Sequence, residues 1–267
     1  IFKGDDVYPG KKVLPKGRKL TASDIGALAA MGITMLPVYS PVTVGVISTG
    51  DELIDISDTP KAGQIRDLNS SMLCFLMEGC GAKAIRYGFF KDSEEILSNI
   101  LEKAIKECDM VLISGGSSVG LKDATTKIIE QKGDLLFHGI AMKPGKPTIL
   151  GKADNKPIWG LPGHPVAAFL ISHIFVRPLL YRLSGKNFKN ITVPAILTET
   201  VSANHGRAQY TGVFLEEKDG KLYASPIRGK SGLITTLAAS DGYFAIDRDC
   251  EGIKEGSVIN VTLYSLD

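Results

Sequence analysis

Apolar runs and amphipathic segments alternate between residues 41 and 187. Short apolar runs are typical of buried strands, whereas apolar residues spaced three and four apart predict helices. Pro178 should kink the last of these helices near Arg177, because proline cannot donate the helical hydrogen bond. The predicted strands are 44–47, 83–89, 110–113 and 135–138, and the predicted helices are 70–78, 96–105, 124–130 and one after Pro165.

This alternation indicates an α/β fold with a mostly parallel sheet covered by helices on both faces. In such folds ligands bind at the carboxyl ends of the strands. Asn69, Asp92 and Asp123 are each suited to cap the helix that follows, since their side chains accept hydrogen bonds from free helical N–H groups.

A different pattern begins near residue 190, where short alternating stretches are separated by turns. The expected strands are 191–197, 209–215, 222–227, 243–247 and 258–263. Their spacing predicts a small all-β domain, barrel-like or a sandwich. We therefore expect three parts: a trailing segment of missing upstream domains (1–40, with a short helix at 25–31), an α/β domain (41–187) and a β-barrel domain (188–267).

Composition argues against several classes of function. The 31 Lys and Arg and 29 Asp and Glu give a net charge of +2, so an obligatory nucleic-acid partner is not expected. The four cysteines form no C-x-x-C pair, which favours reduced thiols in a cytoplasmic protein. The longest apolar run, 166–176, is too short to cross a bilayer, and no signal peptide is visible. We expect small molecules or proteins as partners.

The segment 114–120 is rich in glycine and serine and lies between a predicted strand and a predicted helix. Successive N–H groups of such a loop can bind phosphate, and glycines allow close approach of a ligand. No Lys-Ser or Lys-Thr follows Gly120, and G-x-G-x-x-G is absent, which excludes a Walker A loop and a dinucleotide fingerprint. The candidate binding residues are Gly115, Gly116, Ser117, Ser118 and Gly120.

The same loop also matches G-x-S-x-G, the nucleophile elbow of hydrolases, with Ser118 as the nucleophile. An elbow passes directly into its helix, whereas here two residues separate Gly120 from an expected helix start at Asp123. This spacing argues against an elbow, and the hydrolase is kept as an alternative. Its acid and its histidine would come from Asp134, Asp154, His164 and His173.

Acidic side chains follow several predicted strands. Because parallel strands end at one edge of the sheet, these carboxylates should lie near each other and near the glycine loop. Each one alone is readily explained as a helix cap or a solvated turn residue. Together, beside an anion-binding loop, they form the arrangement by which proteins hold Mg²⁺ against phosphate. The candidate catalytic and metal-binding residues are Glu52, Asp92 and Asp123.

Two proline-containing loops complete the candidate site. Loop 143–147 presents two lysines from a restricted backbone, and loop 161–165 leads into a helix whose N-terminus can face an anion. The histidines lack zinc-site spacing, and His173 is expected on the inner face of a helix. The candidate binding residues here are Lys143, Lys146, Pro162, His164 and Pro165.

Five motifs now occur in one order: 48–53, 65–70, 114–120 with Asp123, 143–147, and 161–166. With these motifs the chain resembles the molybdopterin molybdenumtransferase family (MoeA-type), which includes the E domain of gephyrin. The β-rich tail resembles the last domain of that family.

The resemblance implies a molybdopterin-binding fold and an enzyme of molybdenum cofactor biosynthesis. It implies insertion of molybdate into adenylylated molybdopterin, with release of AMP and help from Mg²⁺. On this basis the glycine loop binds the phosphate or pterin end of the ligand, and Glu52, Asp92 and Asp123 hold Mg²⁺ or position the phosphoanhydride. The two lysines bind molybdate or phosphates, and the prolines of 161–165 shape the pocket wall. Arg207 and Ser231 are further candidates for molybdate.

Family members are homodimers with a composite site, and they carry upstream domains, so this chain alone could lack activity. The departures from the family pattern are Ser117, where Val is common, His164, where Asn is common, and Gly139, where a lysine is often found. Other molybdenum cofactor assembly proteins are further expected partners. A related molybdopterin adenylyltransferase and a non-catalytic scaffold with the same fold are alternatives.

Overall fold

The structure is a computed structural model that describes residues 1–115 and 119–265, without the side chains of residues 119–124. The predictions for Gly116, Ser117 and Ser118 therefore lie outside the described residues. The predictions for the Asp123 carboxylate and for the environment of Gly120 lie outside them too.

Strands and helices alternate up to residue 183. The strands are β1 (Thr43–Thr49), β2 (Leu53–Ile54), β3 (Ile65–Arg66), β4 (Lys83–Phe90), β5 (Met110–Gly115), β6 (Asp134–His138), β7 (Met142–Lys143), β8 (Ile149–Ala153) and β9 (Lys156–Leu161). The helices are α1 (Ala22–Ala30), α2 (Leu68–Gly79), α3 (Glu94–Glu107), α4 (Val119–Lys132), α5 (Pro165–Ile171) and α6 (Arg177–Leu183), with a π-helical turn at Ser172–Val176 between the last two.

The central sheet has the order β4-β1-β5-β9-β8-β6. Strands β4, β1, β5 and β9 are parallel, β8 is antiparallel to β9, and β6 is antiparallel to β8. The predicted mostly parallel sheet is therefore confirmed. The β8–β9 hairpin was not predicted from the sequence. Its turn is formed by Asp154 and Asn155, which both adopt positive φ (50° and 61°), a conformation that Asn and Asp tolerate well.

Helices cover both faces of the sheet, as predicted. In β5, Met110 and Leu112 belong to the core cluster that contains Leu73 of α2 and Leu170 of α5. The alternate residues of β5 face the other cluster, which contains α3 and α4 side chains. Since successive strand residues point to opposite faces, this continuous apolar run fits a strand buried on both sides.

Three predicted helix caps are wrong. Asp67, rather than Asn69, caps α2 by accepting a hydrogen bond from the Ser70 N–H. Ser93, rather than Asp92, caps α3. Helix α4 begins at Val119, so Asp123 lies inside the helix instead of before it. The delayed helix start that argued against a hydrolase elbow is therefore absent.

The stretch Pro165–Leu183 is long and apolar enough to cross a membrane by length and composition, since an 18-residue window has a mean hydropathy of 1.4. In the fold it is a core helix: Leu170, Val176 and Leu180 are fully buried and pack in the core of the α/β part. The π-helical turn ends directly before Arg177 and Pro178, where the sequence predicts a kink.

The C-terminal part forms a closed ring of strands. Its elements are β10 (Thr192–Leu197), β11 (Val201–Ser202), β12 (Ala208–Lys218), β13 (Lys221–Pro226), α7 (Ile234–Ala238), β14 (Gly242–Ile246), β15 (Gly252–Ile253) and β16 (Val258–Leu263). The order β13-β10-β16-β14-β12 is closed by pairing of β12 with β13, which gives a five-stranded barrel. All neighbours in the ring are antiparallel except β10 and β13. The predicted barrel-like domain is confirmed.

The α/β part and the barrel share one strand pairing. Strand β7 lies parallel to the start of β12, so that Met142 is opposite Ala208 and Lys143 is opposite Gln209. Nearby, the ring of His173 packs edge-on against Tyr243 and Tyr264 of the barrel, with centroids 5.7 and 5.4 Å apart. Backbone pairing and aromatic contacts therefore join the two parts.

Candidate functional site

Glycines allow the carboxyl ends of the parallel strands to approach closely. A Cβ added to Gly115, at the end of β5, would lie 2.2 Å from the carbonyl oxygen of Thr49, the last residue of β1. A Cβ on Gly163, after β9, would lie 3.7 Å from the Cα of Gly115. Three backbone segments therefore meet where the glycine loop begins, which is the sheet edge that binds ligands in α/β folds.

Carboxylates gather at the same edge. The Glu52 carboxyl group packs against the Cα of Gly50, since a Cβ added to Gly50 would lie 2.9 Å from both carboxyl oxygens of Glu52. The Asp92 N–H donates a hydrogen bond of 3.2 Å to Asp51 Oδ1. Partial burial and the negative charges of Asp51 and Glu52 raise the pKa of Asp92 to about 6. The structure thus brings Glu52 and Asp92 together and adds Asp51 to them.

The predicted metal set is not tested as a whole, because the Asp123 side chain lies outside the description. Within the described part of the chain, no group of three or more His, Cys, Asp or Glu side chains is arranged to hold a metal ion. The mutual repulsion at Asp92 is nevertheless the electrostatic condition that a bound cation would relieve.

Asn69 lies between the strand ends as the second residue of α2, and was expected only as a cap. Its Nδ2 donates hydrogen bonds to Ser114 Oγ at 2.9 Å and to the Gly163 carbonyl oxygen at 2.8 Å. Its position inside the 65–70 motif was the available sequence signal. Asn69 therefore links α2 to the segments that leave β5 and β9.

A buried ion pair fixes the start of α2. Asp67, 1% exposed, accepts hydrogen bonds from Ser48 Oγ at 2.7 Å and from the Ser70 N–H at 3.2 Å. Arg86 of β4 pairs with Asp67 at 3.2 Å and also donates to Ser70 Oγ at 2.7 Å. Because the carboxylate has several hydrogen-bond partners, the cost of burying its charge is compensated. These contacts fix the first turn of α2, which contains Asn69.

A second region is an open cleft of about 970 Å³ between the α/β part and the barrel. Among the described residues that line it there is no Asp or Glu, although five carry a positive charge. One of these, Arg228, pairs with Glu199 at 2.5 Å. The net charge of the lining favours anions. The charged lining residues are Lys143, Lys146, Arg207, Arg228 and Lys230.

Hydrogen bonds hold the lysine loop in shape. The Thr148 N–H and hydroxyl donate to the Gly145 carbonyl oxygen at 3.2 and 2.6 Å, and the Ile140 N–H donates to the Lys146 carbonyl at 3.0 Å. Gly145 has φ 121° and packs so closely on Ile171 that a Cβ would lie 2.6 Å from Ile171 Cδ1. Both lysine side chains remain exposed at the cleft.

The far wall of the cleft is docked onto the start of α5. His164 Nδ1 lies 2.8 Å from Ser231 Oγ, and the Val166 N–H donates to the Ser231 carbonyl at 3.1 Å. Pro162 is buried and lines the cleft, whereas Pro165 is buried as the first residue of α5. The cleft thus contains Arg207 and Ser231 from the sequence-based candidates, together with Lys143, Lys146, Pro162 and His164.

Sequence reasoning missed two cleft residues, Arg228 and Lys230. Both lie in the glycine-containing segment 228–232, which comes after β13 and has no strand or helix of its own. A basic, glycine-containing segment after a strand was the readable signal. That this segment reaches α5 depends on tertiary packing, which the local sequence does not reveal.

The candidate site therefore has two halves. Glu52 and Asp92 do not line the basic cleft, and they lie with Gly115 at the strand ends. The turn 162–164 borders both halves, because Gly163 contacts Gly115 while Pro162 and His164 face the cleft.

His173 is buried, as expected, and does not belong to either half. Burial and the charge of Arg177 lower its pKa to about 4, so the imidazole is neutral at physiological pH. Asp134 and Asp154, the acids considered for a hydrolase, lie at the start of β6 and in the turn before β9. Since β9 is parallel to β5, Asp154 lies at the sheet edge opposite to Gly115. Asp134 lies at that opposite edge too.

Comparisons with known proteins decide the family. Residues 45–182 match the family described as probable molybdopterin binding domain, and residues 194–264 match the MoeA C-terminal region, domain IV. The chain belongs to the molybdopterin molybdenumtransferase family. The resemblance stated from the five motifs is thereby confirmed.

Relatives of this family match nearly the whole chain. A molybdopterin molybdenumtransferase of Haemophilus influenzae is 32% identical over 98% of this chain and 66% of its own length. The enzyme of the same name from Bacillus subtilis is 30% identical over 97% of this chain and 61% of its own length. A putative molybdopterin biosynthesis protein of Methanocaldococcus jannaschii is 33% identical, with coverages of 97% and 64%. The chain thus spans somewhat less than two thirds of these relatives.

Solved structures agree with this family assignment. The MoeA protein of Pyrococcus horikoshii superposes with a TM-score of 0.84 at 36% identity, over 94% of this chain and 61% of that protein. A molybdenum cofactor biosynthesis protein of Pyrococcus furiosus gives a TM-score of 0.76 at 34% identity, over 98% and 83% of the two chains.

Proposed function

We propose that the full-length protein inserts molybdate into adenylylated molybdopterin and releases AMP. The observation that carries this proposal is the cleft that has five cationic side chains and no described carboxylate, bordered by the strand ends where Gly115 lies. Both substrates are anions, and a site with this charge lowers the electrostatic cost of bringing them together.

Each part of the site has a role in this proposal. Lys143 and Lys146 offer point charges from a hydrogen-bonded loop, and Arg207 offers a planar guanidinium that can bind two oxygens at once. These groups would bind the oxyanion and screen the diphosphate, so that a molybdate oxygen can approach phosphorus while AMP leaves. The N–H groups of the glycine loop after Gly115 would bind the phosphate or pterin end of the nucleotide.

We propose Mg²⁺ as the cation of the acidic half of the site. The described carboxylates do not form a metal site by themselves, so Asp123 would have to complete the set. Glu52 and Asp92 carry the oxygen ligands that this cation prefers, and partial burial together with the charges of Asp51 and Glu52 raises the pKa of Asp92. We propose that Glu52 and Asp92, with Asp123, hold it. When bound, the cation would neutralise charge on the phosphoanhydride.

We also propose a cytoplasmic homodimer. Here the chain is read as a trailing segment (1–40), a molybdopterin-binding domain (41–187) and a C-terminal barrel domain (188–267). In full-length relatives of this family further sequence is present beyond the part matched here. Light scattering of the full-length protein tests the dimer: a mass of one chain at micromolar concentration would contradict it.

The decisive experiment incubates full-length protein with adenylylated molybdopterin, Mg²⁺ and molybdate and measures AMP. We expect AMP release that requires molybdate. Absence of release together with absence of pterin-nucleotide binding would contradict the proposal. Binding without release would favour the scaffold, and AMP transfer from ATP to free molybdopterin would favour the adenylyltransferase.

The alternatives are less well supported. The barrel contributes Arg207, Arg228, Lys230 and Ser231 to the cleft, which favours a reaction that needs an oxyanion site beside the pterin site. For the hydrolase, both candidate acids lie at the wrong edge of the sheet. Loss of simple-ester turnover on Ser118→Ala would nevertheless favour that alternative.

A further inference from the structure

One side chain connects the two halves of the site. The Asn69 amide donates one hydrogen bond to Ser114 Oγ at 2.9 Å and another to the Gly163 carbonyl at 2.8 Å. Ser114 directly precedes Gly115, where the acidic half begins. Gly163 lies between Pro162 and His164, which line the basic cleft. Both N–H bonds of one amide are therefore used to hold the two halves together.

The position of this amide is itself well fixed. Helix α2 is anchored one residue before Leu68 by Asp67, whose carboxylate is bound by Ser48 of β1 and Arg86 of β4. Strands β5 and β9 are paired up to Ser114, which Asn69 binds, and up to Leu161, two residues before Gly163. Asn69 is thus held by the sheet on one side and binds the end of β5 and the turn after β9 on the other.

Stability alone does not explain an asparagine here. Its Oδ1 atom is buried and has no hydrogen-bond partner among the described residues. A buried oxygen without a partner destabilises a fold, and most proteins avoid one. The side chain is therefore better explained by what its Nδ2 donor positions than by a gain in folding free energy.

We propose that Asn69 is a positioning residue that fixes the end of β5, at Ser114 and Gly115, relative to the basic cleft. This inference rests on the proposed function, in which one nucleotide and one oxyanion must meet across the boundary between the halves. A displacement of about 1 Å between reacting groups can lower a rate by about a hundredfold. The described hydrogen bonds of Asn69 go to none of the cationic candidates and to neither Glu52 nor Asp92, so these binding groups remain when the amide is lost.

The test separates binding by each half from turnover by both. In full-length protein, Asn69→Ala and Asn69→Asp should lower kcat for AMP release at least about tenfold, because neither side chain can donate a hydrogen bond to the Gly163 carbonyl. Equilibrium binding of AMP alone and of molybdate alone should stay within about twofold of wild type. Asn69→Asp keeps the size of the side chain, so it serves as the second variant if Asn69→Ala does not fold. Asn99→Asp, the same chemical change on the exposed side of α3, is the matched control and should change none of these values.

Two results would overturn the proposal: a kcat within about threefold of wild type in both variants, or a loss of AMP and molybdate binding as large as the loss of kcat, which would indicate general damage. Failure of the proposed function is recognised separately, since wild-type protein would then release no AMP.

If no AMP is released, amide hydrogen exchange still tests whether Asn69 positions the turn 162–164. Exchange in a peptide covering 162–166 should rise at least about fivefold in Asn69→Asp and not in Asn99→Asp. Equal exchange in the two variants would also overturn the proposal.

Discussion

Replacing Gly115 with alanine tests whether close approach of β5 to β1 shapes the site. The new Cβ would lie 2.2 Å from both the carbonyl oxygen and the Oγ1 of Thr49. Real carbon–oxygen contacts are longer by about 1 Å, so the two strand ends must separate by about that distance. Gly115 also has φ 150°, which an alanine adopts only under strain.

The expected size of the effect follows from these two terms. Overpacking costs about 1–3 kcal/mol, and the backbone strain adds about 1–3 kcal/mol, so the free energy of unfolding should fall by about 2–6 kcal/mol. Because the free energy of unfolding of native proteins is about 5–15 kcal/mol, the variant should still fold at low temperature. Its AMP release should fall about a hundredfold, since the end of β5 moves by about 1 Å.

Urea unfolding and AMP release, each measured on full-length protein, provide the assay. Gly79→Ala is the control, because a Cβ on Gly79 in α2 meets nothing within 4 Å and alanine favours a helix. The double variant Thr49→Ala/Gly115→Ala removes the hydroxyl clash and leaves the carbonyl clash, so it should recover less than half of the lost stability. Equal stability and activity of Gly115→Ala and Gly79→Ala would refute the reasoning.

Three further predictions concern charge. Lys143→Gln and Lys146→Gln should each weaken molybdate binding about fivefold at low salt, since an exposed charge contributes about 1 kcal/mol. The control Lys221→Gln, in the β12–β13 hairpin, should leave molybdate binding unchanged. Calorimetry in 0.05 and 0.5 M salt measures the affinity of each variant and its dependence on salt. Mg²⁺ affinity should fall as the pH drops through about 6, because Asp92 then binds a proton; an Asp92→Asn variant that keeps the same pH dependence would contradict this. The unfolded state protonates His173 near pH 6.5 and the folded state only near 4, so stability should fall by about 2–3 kcal/mol on acidification between these values. Denaturant titrations should show a smaller fall in His173→Phe.

The fold was largely predictable where the pattern is local. The run Met110–Gly115 is apolar on both faces and bounded by glycine, so only a buried strand fits it. The β8–β9 hairpin was not predicted although its Asp-Asn turn was readable. Its second strand contains Pro157, a residue that usually argues against a strand. Helix caps were harder, since Asp67 and Asn69 are both good caps. The choice between them depends on Ser48 and Arg86, which are distant in sequence.

The candidate site was predictable where the topology of a parallel sheet determines it. Glu52 and Asp92 follow neighbouring parallel strands, so their proximity follows from strand order. The basic cleft could not be predicted in this way. Arg228, Lys230 and Ser231 lie on its barrel side, and their approach to His164 depends on how the barrel packs against the α/β part.

The two-residue strand β7 has a mechanical consequence for the cleft. Its backbone is paired with β12 at Ala208 and Gln209, and the Ala208 N–H also donates to the Ala141 carbonyl at 3.0 Å. Any rigid-body rotation of the barrel must therefore carry the lysine loop with it. At the other end of the cleft, Ser231 is joined to the start of α5 by the His164 side chain and by the Val166 N–H. The cleft is therefore held at both ends, by backbone pairing beside the lysines and by Ser231 beside α5.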